Sequence, residues 1–405
     1  IYRKKTIAID NLGREIWHSN QFSTKDIDNF GLLYGHKHYD NNEETFVTYS
    51  FSKEILWETP NTLSYDLNYH DFRHLPNGNY MFFVKNIQQG PIPNGDWTPQ
   101  FQALGYEADG ETIEFTWEGY QIIELDSNTK EETWNWNVFD YFSMNDYDSI
   151  GGTWWKALES NSFDWIHVNS LHFDQELNYL YISNRQLSRI TKIAYPSGEV
   201  IWNMGLEMPS GDVQFGTELG FSYQHSLQLT QDGHIVFLDN GNLSETLLET
   251  DYPTSRAMEI SVLDDTSAQL IWEYNLPDSL FGFASGNVQK LENGNYLVTT
   301  VGDGGTSIEV TEDHEIVWEG KYNLTLPSGA VYRAQRIPGL YAGEFSLRLP
   351  PSTNVDFYNT LIYSDENYSF DILLKNESDY PSTYQVSWFF EQSGFSSPLE
   401  FVNCK

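Results

Sequence analysis

The 405-residue chain carries 58 acidic residues against 22 Lys and Arg, a net charge of −36 and a pI near 4.4. Nucleic acid and anionic lipid both demand clustered Lys and Arg, so this balance excludes them as partners. No run of 18 apolar residues offers a membrane span, and 40% hydrophobic with 16% aromatic residues is enough for a large core and two domains.

Taken in chain order, one strand type recurs six times, a polar turn followed by an apolar run ending in Trp. The copies end at Trp17, Trp57, Trp134, Trp202, Trp272 and Trp318. A sixfold strand repeat predicts a radial β architecture, with the tryptophans packing blade against blade. A second repeat interleaves with it. Pro76–Phe82, Gln231–Phe237 and Glu292–Val298 each read as a Gly-bearing turn entering a β-rich strand. Glu176–Ile182 and Glu43–Thr48 are looser copies, and Arg336–Tyr341 is the weakest. About four strands per unit is the make-up of a propeller blade.

The chain ends complement each other. Residues 6–18 have a tryptophan strand without a turn unit, and residues 330–341 have the turn unit without a tryptophan strand. Joined, they make one blade and close the ring, which removes exposed sheet edges. The expected fold is therefore all-β, a six-bladed β-propeller over residues 1–341 closed by the N-terminal strand. Residues 342–405 lose the repeat and read as a β-sandwich-like segment, with strands over 355–363, 368–375 and 384–390. The long connections 86–112 and 140–164 read as functional rims.

The single cysteine, Cys404, cannot form a disulfide within the chain and points instead to linkage or self-assembly through the C-terminal segment. Sequons at Asn242, Asn323, Asn367 and Asn376 mark candidate glycosylation sites. With the acidic surface they lead to an expectation of a secreted, extracellular or cell-surface glycoprotein.

Chemistry is expected from histidines in register. His70 lies eight residues before Gly78, and His225 eight before Gly233. His167 leads into the Tyr179–Ser183 strand, and His36 holds a comparable place before Phe46, with His38 competing for it. The fifth unit has Gly286 at this register. In a propeller these positions line the mouth of the central channel, so the imidazoles converge. Convergent imidazoles suit a transition metal, but Arg185 follows the His167 strand, and a guanidinium among them repels a cation and attracts phosphate, sulfate or carboxylate. No metal and no cofactor is expected. His172, His234 and His314 read as solvent-facing.

Asp164-Trp165-Ile166-His167-Val168-Asn169-Ser170, Ser183-Asn184-Arg185, Gln224-His225-Ser226 and Asp239-Asn240-Gly241-Asn242, with His70-Asp71 and Leu75-Pro76-Asn77-Gly78-Asn79, resemble the aryl-sulfate sulfotransferases, enzymes independent of PAPS built on six-bladed propellers. The resemblance covers roughly residues 5–340. It implies that His225 takes the sulfuryl group covalently, that His70, His167 and Arg185 hold the sulfate oxygens, and that Asn169 matches the motif's second polar residue. Ser183-Asn184-Arg185-Gln186 stands where the family often has Ser-Ser-Arg-His, and the extra segment follows the propeller here instead of preceding it.

The mechanism so implied is ping-pong, from an aryl sulfate donor to His225 and on to a phenol. Trp154, Trp155, Phe221 and Tyr223 flank these residues and are candidates to stack on a phenol ring, loop packing being the other reading of them. Two function classes stay open. One is the sulfotransferase. The other is a non-catalytic extracellular propeller with an adhesion, assembly or structural role, favoured by the tail, the sequons and Cys404. The intact set of His70, His167, Arg185 and His225 favours chemistry.

Overall fold

The computed structural model describes residues 6–28, 31–39, 44–324, 330–341, 345–348, 373–380, 382–386 and 400–404. Two strands open the chain, β1 (Thr6–Ile9) and β2 (Glu15–Ser19), paired only with each other. Five blades of antiparallel strands follow. Blade 1 is β3 (Phe22–Ile27), β4 (Leu33–His38), β5 (Glu44–Tyr49) and β6 (Ile55–Glu58). Blade 2 is β7 (Leu67–His74), β8 (Tyr80–Pro91), β9 (Ile113–Leu125) and β10 (Glu132–Asn137), with the short β11 (Phe163–Asp164) parallel to β9. Blade 3 is β12 (Val168–Asp174), β13 (Tyr179–Asn184), β14 (Arg189–Ala194) and β15 (Val200–Gly205). Blade 4 is β16 (His225–Leu229), β17 (Ile235–Asp239), β18 (Arg256–Leu263) and β19 (Ser267–Asn275). Blade 5 is β20 (Asn287–Lys290), β21 (Tyr296–Thr300), β22 (Thr306–Val310) and β23 (Ile316–Lys321).

Every repeated tryptophan lies on the last strand of its unit, and five of the indoles reach the next unit in the same way. Trp57 Nε1 donates to the Ser127 carbonyl, Trp134 to Pro196, Trp272 to Glu312 and Trp318 to Asn11, while Trp202 donates to the Asp265 carboxylate, at 2.7–3.1 Å. Trp57 and Trp202 are buried and the other three half-buried, and the five bonds follow the order of the units around the ring. The last of these links runs from blade 5 to the β1–β2 turn. Thr6 Oγ1, on β1, donates to the Phe22 carbonyl of blade 1.

The ring thus holds five blades and not six. The place between blades 5 and 1 is taken by the β1–β2 hairpin and the extended segment 330–336, which joins no ladder among the described residues. The backbones of Ala334 and Arg336 bond to the side chains of Asn287 and Gln289, the Tyr332 carbonyl accepts from Gly286 N, and Pro338 has no N–H to offer. The pairing of residues 330–341 with the N-terminal strand, expected from the sequence, is not formed.

Connection 86–112 is not one loop. β8 and β9 stay paired out to Pro91 and Ile113, and beyond them helix α1 (Thr98–Ala103) packs with helix α2 (Thr153–Ser160). Trp97, Phe101, Trp117, Trp154, Phe163 and Trp165 form one buried aromatic cluster there.

Compactness divides the chain into Ile1–Asp26, Tyr34–Val47 and Trp57–Arg336 as one unit and Ile27–Leu33, Thr48–Leu56 and Ile337–Lys405 as the other. In the second, β24 (Phe345–Arg348) pairs with β25 (Leu373–Asn376) and β26 (Ser382–Val386) with β27 (Glu400–Cys404). The strand expected over 355–363 lies outside the described residues, as does Asn367.

Candidate active site at the propeller axis

Three blades place a left-handed residue where the innermost strand begins, namely His167 (φ 45°), Ser226 (φ 58°) and Gly286 (φ 85°). Such kinks turn a strand's first side chains out of the ladder. In blade 2 the ladder slips between Asn68 and Phe72, and His70 sits in that bulge. His70 and His167 meet edge to face, centroids 4.9 Å apart, and the His225 ring meets Tyr332 at 5.1 Å. Tyr332 Oη donates to the His70 carbonyl, so the three imidazoles and Tyr332 form one cluster.

His225 is buried, and its Nδ1 lies 2.6 Å from the Gly286 carbonyl. A carbonyl can only accept, so Nδ1 carries the proton and Nε2 keeps its lone pair. Burial, followed by the nearby Arg333, holds the His225 pKa well below the ordinary imidazole value; the ring is neutral at neutral pH. His70 shifts the same way, through burial and then His167 and Lys25, and its Nδ1 bonds Asn68 at 2.7 Å. The Nδ1 of His167 bonds the Asp164 carboxylate. Burial works to raise Asp164, but His167 and Arg185 outweigh it and the carboxyl sits below its usual range.

The loop before His225 is fixed by buried bonds. Ser222 N donates to Asp239, Gly241 N to the Ser222 carbonyl, and the Gln224 amide to Ser183 and the Arg189 carbonyl. The Asp239-Asn240-Gly241-Asn242 motif is therefore a brace. Arg185 follows β13, lies over the Tyr223 ring at 4.4 Å and donates to the Phe283 carbonyl at 2.8 Å; burial lowers its pKa. Tyr223 Oη donates to Asp148, so this ring carries the guanidinium and is not free to stack on a substrate. Trp154 is fully buried and stacked on Phe163, which corrects its expected place on the rim. Trp155 is exposed on α2. Asn169 is buried, its amide bound to the Gln224 carbonyl.

His36 is not at the axis. It lies on β4, the second strand of blade 1; the sequence register had matched the wrong strand, since β3 is innermost. From β3 comes Lys25, its Nζ 3.4 Å from the centroid of the Tyr332 ring. Arg333 is the other missed cation. Its side chain is buried and reaches four blades, donating to Ser226 Oγ at 2.6 Å, to the Asn169 carbonyl at 3.0 Å, to both oxygens of Asp71 at 3.3 Å and to the Lys25 carbonyl at 3.5 Å. Asp71 works against burial to raise the Arg333 pKa. Asp71 and Asp164 stood beside the motif histidines in sequence. Arg333 gave no signal, for it lies just ahead of the weakest repeat copy, Arg336–Tyr341.

Beside Asp164 and Gln186 opens a cavity of about 490 Å³, also lined by Glu118, Thr153, Lys156 and Ser162. Of the sequons, Asn323 is exposed, the Asn242 amide bonds the Phe283 carbonyl, and the Asn376 amide bonds the Tyr380 carbonyl.

Fold and site define an all-β propeller whose axis gathers a neutral, tautomer-fixed imidazole with guanidinium and ammonium groups, an arrangement that stabilises an oxyanion. The family model for arylsulfotransferase (ASST) matches residues 106–323, more than half of the chain, and the chain belongs to that family. Among solved structures, a Bacteroides caccae protein of unknown function is 10% identical, covering 82% of this chain and 93% of its own at a TM-score of 0.46. A virginiamycin B lyase from Staphylococcus aureus is 12% identical, covering 77% and 76% at 0.36. A putative 6-phosphogluconolactonase from Bacteroides uniformis is 11% identical, covering 92% and 98% at 0.34. No curated protein sequence matches the chain.

Proposed function

We propose that the protein transfers a sulfuryl group from an aryl sulfate to a phenol through a sulfo-histidine at His225. Membership of the arylsulfotransferase family supports the reaction class. The observation that carries the mechanism is the His225 Nδ1 bond to the Gly286 carbonyl, which leaves an unprotonated Nε2 among His70, His167 and Arg185. The Nε2 lone pair attacks sulfur, the N–S bond forms as the S–O(aryl) bond breaks, and the phenolate leaves. A phenol oxygen then attacks sulfur, the N–S bond breaks, and His225 is restored.

Arg185 stabilises the sulfuryl oxygens, and His70, whose Nδ1 proton is engaged by Asn68, joins it in the protonated form that a bound anion favours. His167, with Asp164 on Nδ1, serves as the acid that protonates the leaving phenolate and as the base that takes the acceptor's proton.

The test is mass spectrometry of protein quenched with 4-nitrophenyl sulfate, read together with 4-nitrophenol release. One sulfuryl adduct on His225, with release accelerated by added phenol, is the expected result. No adduct and no release across a panel of aryl sulfates would remove this reading and leave a non-catalytic propeller. Sequons and a secretory setting belong to the same proposal, checked by glycan analysis of protein expressed through a secretory route.

A further inference from the structure

A second histidine cluster lies off the axis. His36 and His38 are two apart on β4 and so project from one face of the sheet. Glu44 opens the neighbouring strand β5 and places its carboxylate between them, Oε1 2.7 Å from His38 Nδ1 and Oε2 3.7 Å from His36 Nε2. One donor atom from each residue lies within 4.8 Å of the other two. Tetrahedral zinc, with bonds of about 2.0–2.1 Å, sets its ligand atoms about 3.3–3.4 Å apart. The observed spacings bracket that value.

The surroundings complete the case. The two rings are nearly perpendicular, 78° apart with centroids at 4.7 Å, so their nitrogens converge instead of stacking. The other nitrogen of His38, Nε2, lies 3.1 Å from Ser23 Oγ, the outer contact that fixes a ligand histidine with its opposite nitrogen toward the metal. Tyr69 walls the site, its ring 4.8 Å from His36 and its hydroxyl on the Glu44 carbonyl. His36 is fully buried, and the His38 and Glu44 side chains are about one-fifth exposed, so an ion can enter from one side. The axial histidines are poorer hosts for a cation, since Arg185 and Arg333 stand among them.

We propose that His36, His38 and Glu44 bind one divalent transition-metal ion, with zinc the best match to two imidazoles and a carboxylate. The ion replaces the proton shared by His38 Nδ1 and Glu44, which leaves to solvent, and water fills the fourth position. It clips β4 to β5 in a chain whose single cysteine cannot form an internal disulfide.

The test uses untagged full-length protein stripped with a chelator, then titrated with Zn²⁺ by calorimetry and with Co²⁺ by visible d–d absorption. Expected are one equivalent bound, a tetrahedral Co²⁺ spectrum and a Tm raised by Zn²⁺. His38→Ala and Glu44→Gln should lose these at least tenfold while keeping the far-UV spectrum, and His225→Ala should leave them intact. Binding unchanged in both blade 1 variants, binding lost in His225→Ala, or no stoichiometric binding would each overturn the proposal.

Discussion

The two halves of the axis are built differently. Blades 2, 3 and 4 each deliver an imidazole from the innermost strand or the residue just before it: His70, His167 and His225. Blade 1, blade 5 and the place between them deliver Lys25, Gly286 and the pair Tyr332–Arg333. One half supplies groups that can trade protons or form bonds. The other supplies the carbonyl that sets the His225 tautomer and two further cations, Lys25 and Arg333, beside Arg185 of blade 3. A repeat gives equivalent places around an axis, and chemistry here arises where the equivalence fails.

The largest effect expected from breaking this division is His225→Ala, which should lower the rate of 4-nitrophenyl sulfate turnover by on the order of 10⁴–10⁶, as for loss of a nucleophile. Next comes Arg333→Met on the other half. It removes one of the two guanidinium partners of the fully buried Asp71, leaving Arg73 at 3.2 Å, and should cost about 3 kcal/mol in urea unfolding. Arg333→Lys should recover part of that loss, since one ammonium cannot reproduce the spread of the guanidinium. Arg185→Ala should slow turnover by about 10²–10³ with little change in unfolding, and a large loss of stability instead would assign it to the scaffold.

Gly286→Ala sharpens the comparison further. An added Cβ would lie 2.4 Å from the Thr299 carbonyl oxygen and 2.5 Å from Leu238 Cδ2, at a positive φ. About 1–3 kcal/mol of stability should be lost, and displacement of the carbonyl should free the His225 tautomer, seen as a changed imidazole ¹⁵N pattern.

The smallest effect is in pH. His70 and His225 have folded pKa values below the ordinary imidazole value, and His172 is pushed down to about 3 by burial and Arg73. Such groups take up protons more readily when unfolded, so their contribution is intact above about pH 6.5 and drains away as pH falls toward the folded values. Urea midpoints should drop between pH 6.5 and 4. His225→Ala should flatten the slope.

The sequence was legible where a local pattern had a local consequence. Tryptophan spacing marked the outer strands, because a strand's end and its turn are set by nearby residues. Of the motif residues, His70 and His167 meet ring to ring, His225 joins them through Tyr332, and Arg185 lies over the Tyr223 ring. The His36 assignment failed because Glu43–Thr48 resembles the turn after an innermost strand in composition while Glu44–Thr48 lies on the third strand, and side-chain counting cannot tell one strand of a blade from another. Trp154 failed because an aromatic in a long connection reads alike whether it lines a rim or fills a core.

By itself the sequence determined an all-β repeat, an acidic surface and a histidine set suited to group transfer, all consequences of residue type and short-range order. Only the tertiary structure decided that the ring has five full blades, that Lys25 and Arg333 join the axis, and that Gly286 sets the proton on His225. Those depend on contacts between residues up to about three hundred positions apart, whose partners are chosen by packing and by the need to satisfy buried charge, and no local pattern records that choice.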